Sequence, residues 1–343
     1  MVPTSNDLLK LLKSFSEALK YWRTSLATSE VTLAQTARLE KPLEELEKLA
    51  KLIKAHVTKV GIVFKPENLR LVDAAYKTVE QLSETVVLTV TVVAQLSPVE
   101  ISDIYHSEIL GLVKSLLSTT DTFAEELSLL VEEQESTSTE TSDSKIDQRL
   151  VSVGRLWEHC DELIDLIKTG KLGLLNRRIK QSILLIDDGL DEFAEWAQDP
   201  EGFEMEDPFG LSDSEDETTE NPPKADNNEE LITFASTWLE KFKLIKLLFS
   251  SLLRSLPSVT SGTTINSIYN TQKDIVALID KLIVDLMLEN YIGDECKQYA
   301  LDITSKCLKL VRVVKAANKG SDTKIKWCDA WEKKFAEKYN DTK

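Results

Sequence analysis

Apolar residues recur along this chain at steps of three and four, the spacing that gathers them on one face of an α-helix. The first such stripe is Leu8, Leu12, Phe15, Leu19, Trp22 and Leu26, with Ser5 placed to cap it. Pro42 opens a second helix, since proline suits a first turn, and Leu46, Leu49, Ile53 and Val57 form its buried face. That helix is expected to end near Gly61, ahead of the tetrad Gly61-Ile62-Val63-Phe64 and Pro66.

The stretch from Glu67 to Leu96 sets two rules against each other. Val86 to Val93 reads as a strand by the preference of β-branched residues for pleated surfaces. Val72, Ala75, Val79, Leu82, Val86 and Val90 nevertheless continue one helical stripe with no turn between its halves. Burial outweighs a propensity cost of roughly a few tenths of a kcal/mol per residue, so helix is predicted throughout.

A fourth helix follows Ser97-Pro98 and carries Ile101, Tyr105, Ile109, Leu112, Leu116, Phe123 and Leu127. The pattern stops in the Glu, Ser and Thr run from Glu132 to Ser144, which predicts a solvated loop. One further stripe uses Val153, Trp157, Cys160, Ile164 and Ile167. The next uses Leu172, Leu175, Ile179, Ile183, Ile186, Leu190 and Phe193. Acids then fill Asp199 to Glu220 with no lysine or arginine before Lys224, and Pro222-Pro223 closes the run. Such a stretch is too polar to bury and too repulsive to compact, which predicts a disordered insert.

Four helices are expected beyond it, on Leu231 to Leu252, Ile268 to Leu286, Cys296 to Val314 and Ile325 to Phe335. Long helices on short connections favour antiparallel neighbours. The predicted fold is therefore all-α, built of antiparallel bundles of long amphipathic helices. Residues 1–198 would form an N-terminal bundle, 199–228 an acidic disordered linker and 229–343 a C-terminal bundle. Eleven glycines and nine prolines among 343 residues agree with a helical rather than a turn-rich β protein.

Charge narrows the function classes. The formal net charge of −17 would repel a nucleic acid, and no basic stripe offsets it. The most apolar run, Val86 to Leu96, is far short of the roughly 20 residues that span a bilayer, so no membrane segment is expected. Cys160, Cys296, Cys307 and Cys328 are scattered with no CxxC pair and no secretory signal, which predicts reduced thiols in a cytosolic or nuclear protein.

Candidate catalytic groups do not assemble into a site. His56, His106 and His159 lack metal-ligand spacing, and His159 and Cys160 diverge around a helix axis. Gly170-Lys171-Leu172-Gly173 lacks the spacing of a phosphate loop. Asp187-Asp188 and Glu125-Glu126 have no Glu-x-x-His partner and read as solvated faces. No enzyme activity, cofactor or metal is expected. Regulation is the stronger local signal: Ser212 and Ser214 precede acids in the order favoured by acidophilic kinases of the casein-kinase-II kind. Phe203, Met205 and Phe209 interrupt the same acidic run and are candidate partner-binding residues, since alternating acidic and hydrophobic residues occur in disordered interaction segments.

The order of these features resembles the Grap- and cyclin-D-interacting protein (GCIP) family, whose best-known member binds cyclin D. The resemblance runs over roughly residues 40 to 315. A helix runs into Gly61-Ile62-Val63-Phe64 and two long helices follow, with Trp157 in the next one. Asp187-Asp188-Gly189-Leu190-Asp191-Glu192-Phe193 then ends a helix before a long acidic insert. Glu229-Glu230-Leu231-Ile232 reopens the helical part, and Leu308-Lys309-Leu310-Val311 lies in the last long helix. The resemblance implies a non-enzymatic negative regulator of cell-cycle progression and transcription, in cytoplasm and nucleus. It would bind cyclin-like, transcriptional or adaptor proteins. An alternative of a different class is a vinculin- or talin-like bundle scaffold in cytoskeleton or trafficking, since that too is built on amphipathic helices.

Overall fold

The computed structural model describes residues 2–28, 38–65, 68–135, 143–198, 200 and 224–340, and among them every regular element is a helix. In chain order these are α1 (Ser5–Thr28), α2 (Pro42–Val63), α3 (Val72–Val93), α4 (Pro98–Ile101), α5 (Asp103–Glu135), α6 (Asp143–Trp196), α7 (Lys224–Ser255), α8 (Gly262–Glu289), α9 (Asp294–Ala317) and α10 (Asp322–Asn340). The chain folds as two compact units, Met1–Lys171 and Leu172–Lys343. Gly170 breaks α6 at that boundary with φ 68° and ψ 176°, a backbone conformation that is essentially glycine's alone. The two parts of α6, up to Lys171 and from Leu172, therefore serve different units.

In the first unit α1 runs antiparallel to α5. The buried Ser16 hydroxyl donates to Asp121 at 2.6 Å, and Arg23 and Lys20 reach Ser118 and Glu125. The 143–169 part of α6 lies antiparallel to α2, with Lys54 paired to Asp161 and Gly61 set against Val153. It also lies antiparallel to α5, where the Tyr105 hydroxyl donates to the Leu166 carbonyl at 3.2 Å. Leu46, Ile53, Val79, Val86, Ile109, Leu116 and Leu163 fill the core between these helices.

Two elements sharpen the sequence reading. The valine run does fold as α3, and its threonines fit the helix by donating to carbonyls one turn back: Thr85 to Gln81, Thr89 to Thr85, and Thr91 to Val87, each within 2.9 Å. By contrast, α2 does not stop at Gly61 but continues to Val63. A Cβ on Gly61 would lie 3.1 Å from Val153 Cγ2, so this glycine serves a close helix crossing rather than a helix end. The helix predicted after Ser97-Pro98 starts as the single turn α4. It then breaks at Ser102, which has φ 88° and whose hydroxyl accepts the Tyr105 N–H as α5 begins.

The second unit joins residues 172–196 to α7, α8, α9 and α10. The sequence reading grouped 172–196 with the N-terminal bundle because the acidic run follows it. In the structure this segment packs in the second unit. Phe193 meets Phe242 edge-on at 5.8 Å, Asp187 pairs with Lys246 of α7, and the Trp196 indole donates to Asn290 at the end of α8. Phe193, Trp196, Trp238 and Phe242 form a continuous aromatic core. On the far side the Trp331 indole donates to the Leu244 carbonyl, and Lys324 donates to the Ser255 carbonyl.

Candidate partner-binding groove

Most neighbours in the second unit are antiparallel, but 172–196 and α8 run the same way, because α7 returns the chain between them. Three contacts fix their register. Gln272 Nε2 donates to Ser182 Oγ at 3.2 Å, Gly189 faces Ile283 and Trp196 reaches Asn290. Each partner advances along α8 as the residue number rises along α6. Two parallel walls are the result.

Between the walls lies an open groove of about 790 Å³. Its floor is apolar, from Ile186 and Ile279 to Ile283 and Met287. Its rims carry apolar side chains left in solvent: Leu185 is 63% exposed, Val284 43% and Leu288 63%. Gly189 lies on this passage, where a Cβ would make an ordinary contact 3.6 Å from Ile283 Cδ1. From Arg178 to Glu192 the wall is about 20 Å long at 1.5 Å per residue. A smaller cavity of about 310 Å³ lies among α7, α9 and α10 beside Trp327 and Cys328.

This site was not among the residues singled out in the sequence. A signal was present: Leu184-Leu185 and Val284 with Leu288 fall beside, not on, the stripes of their helices. Nothing local says that two such edges, about 100 residues apart, share one groove. The residues that were singled out, Ser212, Ser214, Phe203, Met205 and Phe209, lie outside the described residues.

The groups weighed for catalysis are occupied otherwise. Cys160 is fully buried and desolvation pushes its thiol up to about 12, so the reactive thiolate is suppressed. His159 points elsewhere, 3.4 Å from the Glu162 carboxylate. Burial lowers the pKa of both His56 and His106, favouring neutral imidazole. The acidic pairs are split. Glu125 binds Lys20 while Glu126 accepts from Ser152, and Asp187 binds Lys246 while Asp188 lines the groove. Among the described residues no three His, Cys, Asp or Glu side chains are grouped to hold a metal ion, and no helix is long and apolar enough to cross a membrane. Cys160, Cys296, Cys307 and Cys328 are all buried free thiols. Trp157, placed on a core stripe by the sequence, is 39% exposed with Lys54 5.6 Å from its ring, and Leu156 takes the buried place.

Comparison with known proteins supplies a further finding. Residues 45–199 match the family model described as Grap2 and cyclin-D-interacting, N-terminal. The match runs from the first turn of α2 to the end of α6, including the first wall of the groove; residues 229–232 and 308–311, which contributed to the resemblance in sequence, fall beyond it. An uncharacterized protein of Saccharomyces cerevisiae is 28% identical over 324 residues, covering 89% of each chain. An uncharacterized protein of Schizosaccharomyces pombe is 23% identical over 341 residues, covering 97% of this chain and 94% of its own.

Proposed function

We propose, from the premise that residues 45–199 carry a Grap2 and cyclin-D-interacting N-terminal domain, that this chain is a non-enzymatic regulator acting by binding other proteins. It takes cyclin-like, transcriptional or adaptor partners and restrains cell-cycle progression and transcription, in both cytoplasm and nucleus. The observation that carries the reading is the groove between 172–196 and α8, where Leu185, Val284 and Leu288 stand in solvent around an apolar floor. Clustered apolar side chains at a concave site are what a partner helix uses for anchoring. Scattered ones are ordinary. Ser212 and Ser214 supply phosphorylation sites that would add charge to an already acidic segment, and Phe203, Met205 and Phe209 supply further docking points.

The test is affinity purification from cells with quantitative mass spectrometry. It compares the full chain, the double variant Leu185→Arg/Val284→Arg and a chain lacking residues 199–228. D-type cyclins, their kinases or transcription regulators should be recovered with the full chain and lost with the double variant. Loss with the deletion would add the acidic segment to the binding surface. Recovery of cytoskeletal or vesicle proteins in their place, insensitive to both changes, would sink the regulatory reading in favour of a scaffold. Fractionation of cells into nuclear and cytoplasmic pools checks the location.

A further inference from the structure

The smaller cavity, among α7, α9 and α10, shares no lining residue with the groove. Val314 of α9 and Trp327 and Cys328 of α10 give it apolar walls. Burial raises the pKa of the Cys328 thiol, so that wall stays neutral. Hydrogen bonds fix α10 against its neighbours. The Lys324 ammonium donates to the Ser255 carbonyl at 2.6 Å and to Asn318 Oδ1 at 3.2 Å, and the Trp331 indole donates to the Leu244 carbonyl. The charged part of the lining is one-sided: it includes Arg254 and Lys324 and no carboxylate, in a chain of net charge −17. Asp329 and Glu332, next along α10, are both held by Lys315, and Asp322 at the start of that helix is outside the lining. Lys324 is committed to the two carbonyl oxygens it binds. Arg254 is exposed and forms no ion pair among the described residues. Beside it in the chain, Ser255 Oγ is buried with no hydrogen-bond partner, a costly state for a hydroxyl unless something accepts from it.

We propose that this cavity binds a small monocarboxylic acid with an aromatic or compact aliphatic body, its apolar part against Trp327 and Val314 and its carboxylate on Arg254 and Ser255. Size sets the body. The cavity is at the low end of the roughly 300–1,000 Å³ of ligand pockets, which suits one or two rings and not a long lipid chain. The two donors set the head group. A guanidinium and a serine hydroxyl, which can rotate, both need an acceptor, and a carboxylate offers two oxygens with the charge that Arg254 lacks opposite it. Helix dipoles agree with this assignment. Thr323 and Lys324 lie in the first turn of α10, at the positive end of its dipole, where N–H groups lack acceptors within the helix. The negative end of α7 is offset by Lys324 on the Ser255 carbonyl. A neutral ligand would leave Arg254 unanswered, and a cation would be repelled by it.

The experiment uses the full chain and three probes of one shape: β-naphthoate, its neutral amide and the cationic β-naphthylmethylamine. Calorimetry should find the naphthoate bound about fivefold more tightly than the amide, the scale of one exposed charge pair, and the amine bound most weakly. Arg254→Gln should bring the naphthoate down to the affinity of the amide and leave the amide unchanged. Ser255→Ala should weaken the naphthoate by about threefold, as one lost hydrogen bond does. Ser251→Phe, which places a ring in the cavity from a lining position of α7, should abolish binding of all three. Circular dichroism checks that each variant is folded. Nuclear magnetic resonance reads the location. Of the six tryptophan indole N–H signals, the one that naphthoate moves should be the one missing from Trp327→Phe. Equal affinity for naphthoate and amide, tightest binding of the amine, or no binding of any probe would overturn the proposal. So would movement confined to signals that Trp327→Phe retains, or undiminished binding to folded Ser251→Phe.

Discussion

Arg149 in the first unit and Lys241 in the second are each 1% exposed, and each lies on a helix stripe otherwise filled with apolar groups. Arg149 continues through Val153 and Leu156; Lys241 lies between Trp238 and Ile245. Their surroundings treat the charge differently. The Lys241 ammonium stands 4.6 Å from the Trp238 ring centroid, on the aromatic core, and desolvation lowers its pKa to about 8. Arg149 has Nε and Nη1 buried without a hydrogen-bond partner, and desolvation lowers its pKa as well. A guanidinium does not give up its proton within the range proteins survive. A lysine can, so the second unit holds its buried cation with a release that the first unit lacks.

The largest effect should come from removing the ring beneath Lys241. Trp238→Ala deletes a side chain that is 2% exposed and packed 5.6 Å from Phe242, which should cost about 3–5 kcal/mol. Chemical denaturation of the two proteins measures it. A loss under about 1 kcal/mol would mean that the aromatic core is not what holds this unit together.

Replacing the cations themselves tests the comparison directly. Because the folded-state pKa of Lys241 lies below the ordinary 10.5, the unfolded chain binds more protons between about pH 8 and 10.5. Stability therefore rises with pH through that window and is reduced below it, by on the order of 3 kcal/mol. Lys241→Met should stabilise the protein at pH 7 and lose that advantage by pH 10.5. Arg149→Met should stabilise by about 1–4 kcal/mol with no such window, since its charge persists at both pH values. Parallel pH dependence of the two variants would dissolve the distinction between the units.

The sequence reading reached these helices but not their neighbours. Periodicity identified α3 against its own β-branched composition, because Val79, Leu82 and Val86 must be buried together whichever backbone carries them. It stopped α2 two residues early, taking Gly61 for a helix end. A glycine at a helix crossing and a glycine at a terminus look alike until Val153 is seen against it. Gly170 carried the converse signal. It interrupts apolar stripes that sequence already read as two helices, yet only the packing of Phe193 and Trp196 assigns the second to the other unit. The groove needs two edges about 100 residues apart in one register, which no local pattern encodes. Burial of Arg149 was hidden too, since arginine by itself reads as surface.

Glu126 provides the smallest and sharpest test, because it is the anionic counterpart of these cations. One carboxylate oxygen accepts the Ser152 hydroxyl at 2.9 Å, and Oε2 is buried without a partner. Desolvation outweighs the Ser152 bond and the nearby Arg155 charge, so its pKa rises above the ordinary 4.5. The folded state then binds more protons than the unfolded one between the two values, and stability falls as pH climbs through them. Glu126→Gln keeps an acceptor for Ser152 and removes the ionised oxygen. It should stabilise the protein by up to about 1 kcal/mol at pH 7 and leave it unchanged near pH 4, where the native carboxyl is already protonated. Denaturation at both pH values decides the point. Equal gains at pH 4 and pH 7 would assign the effect to packing, and the pairing of Arg149 with Lys241 would then rest on cation chemistry alone.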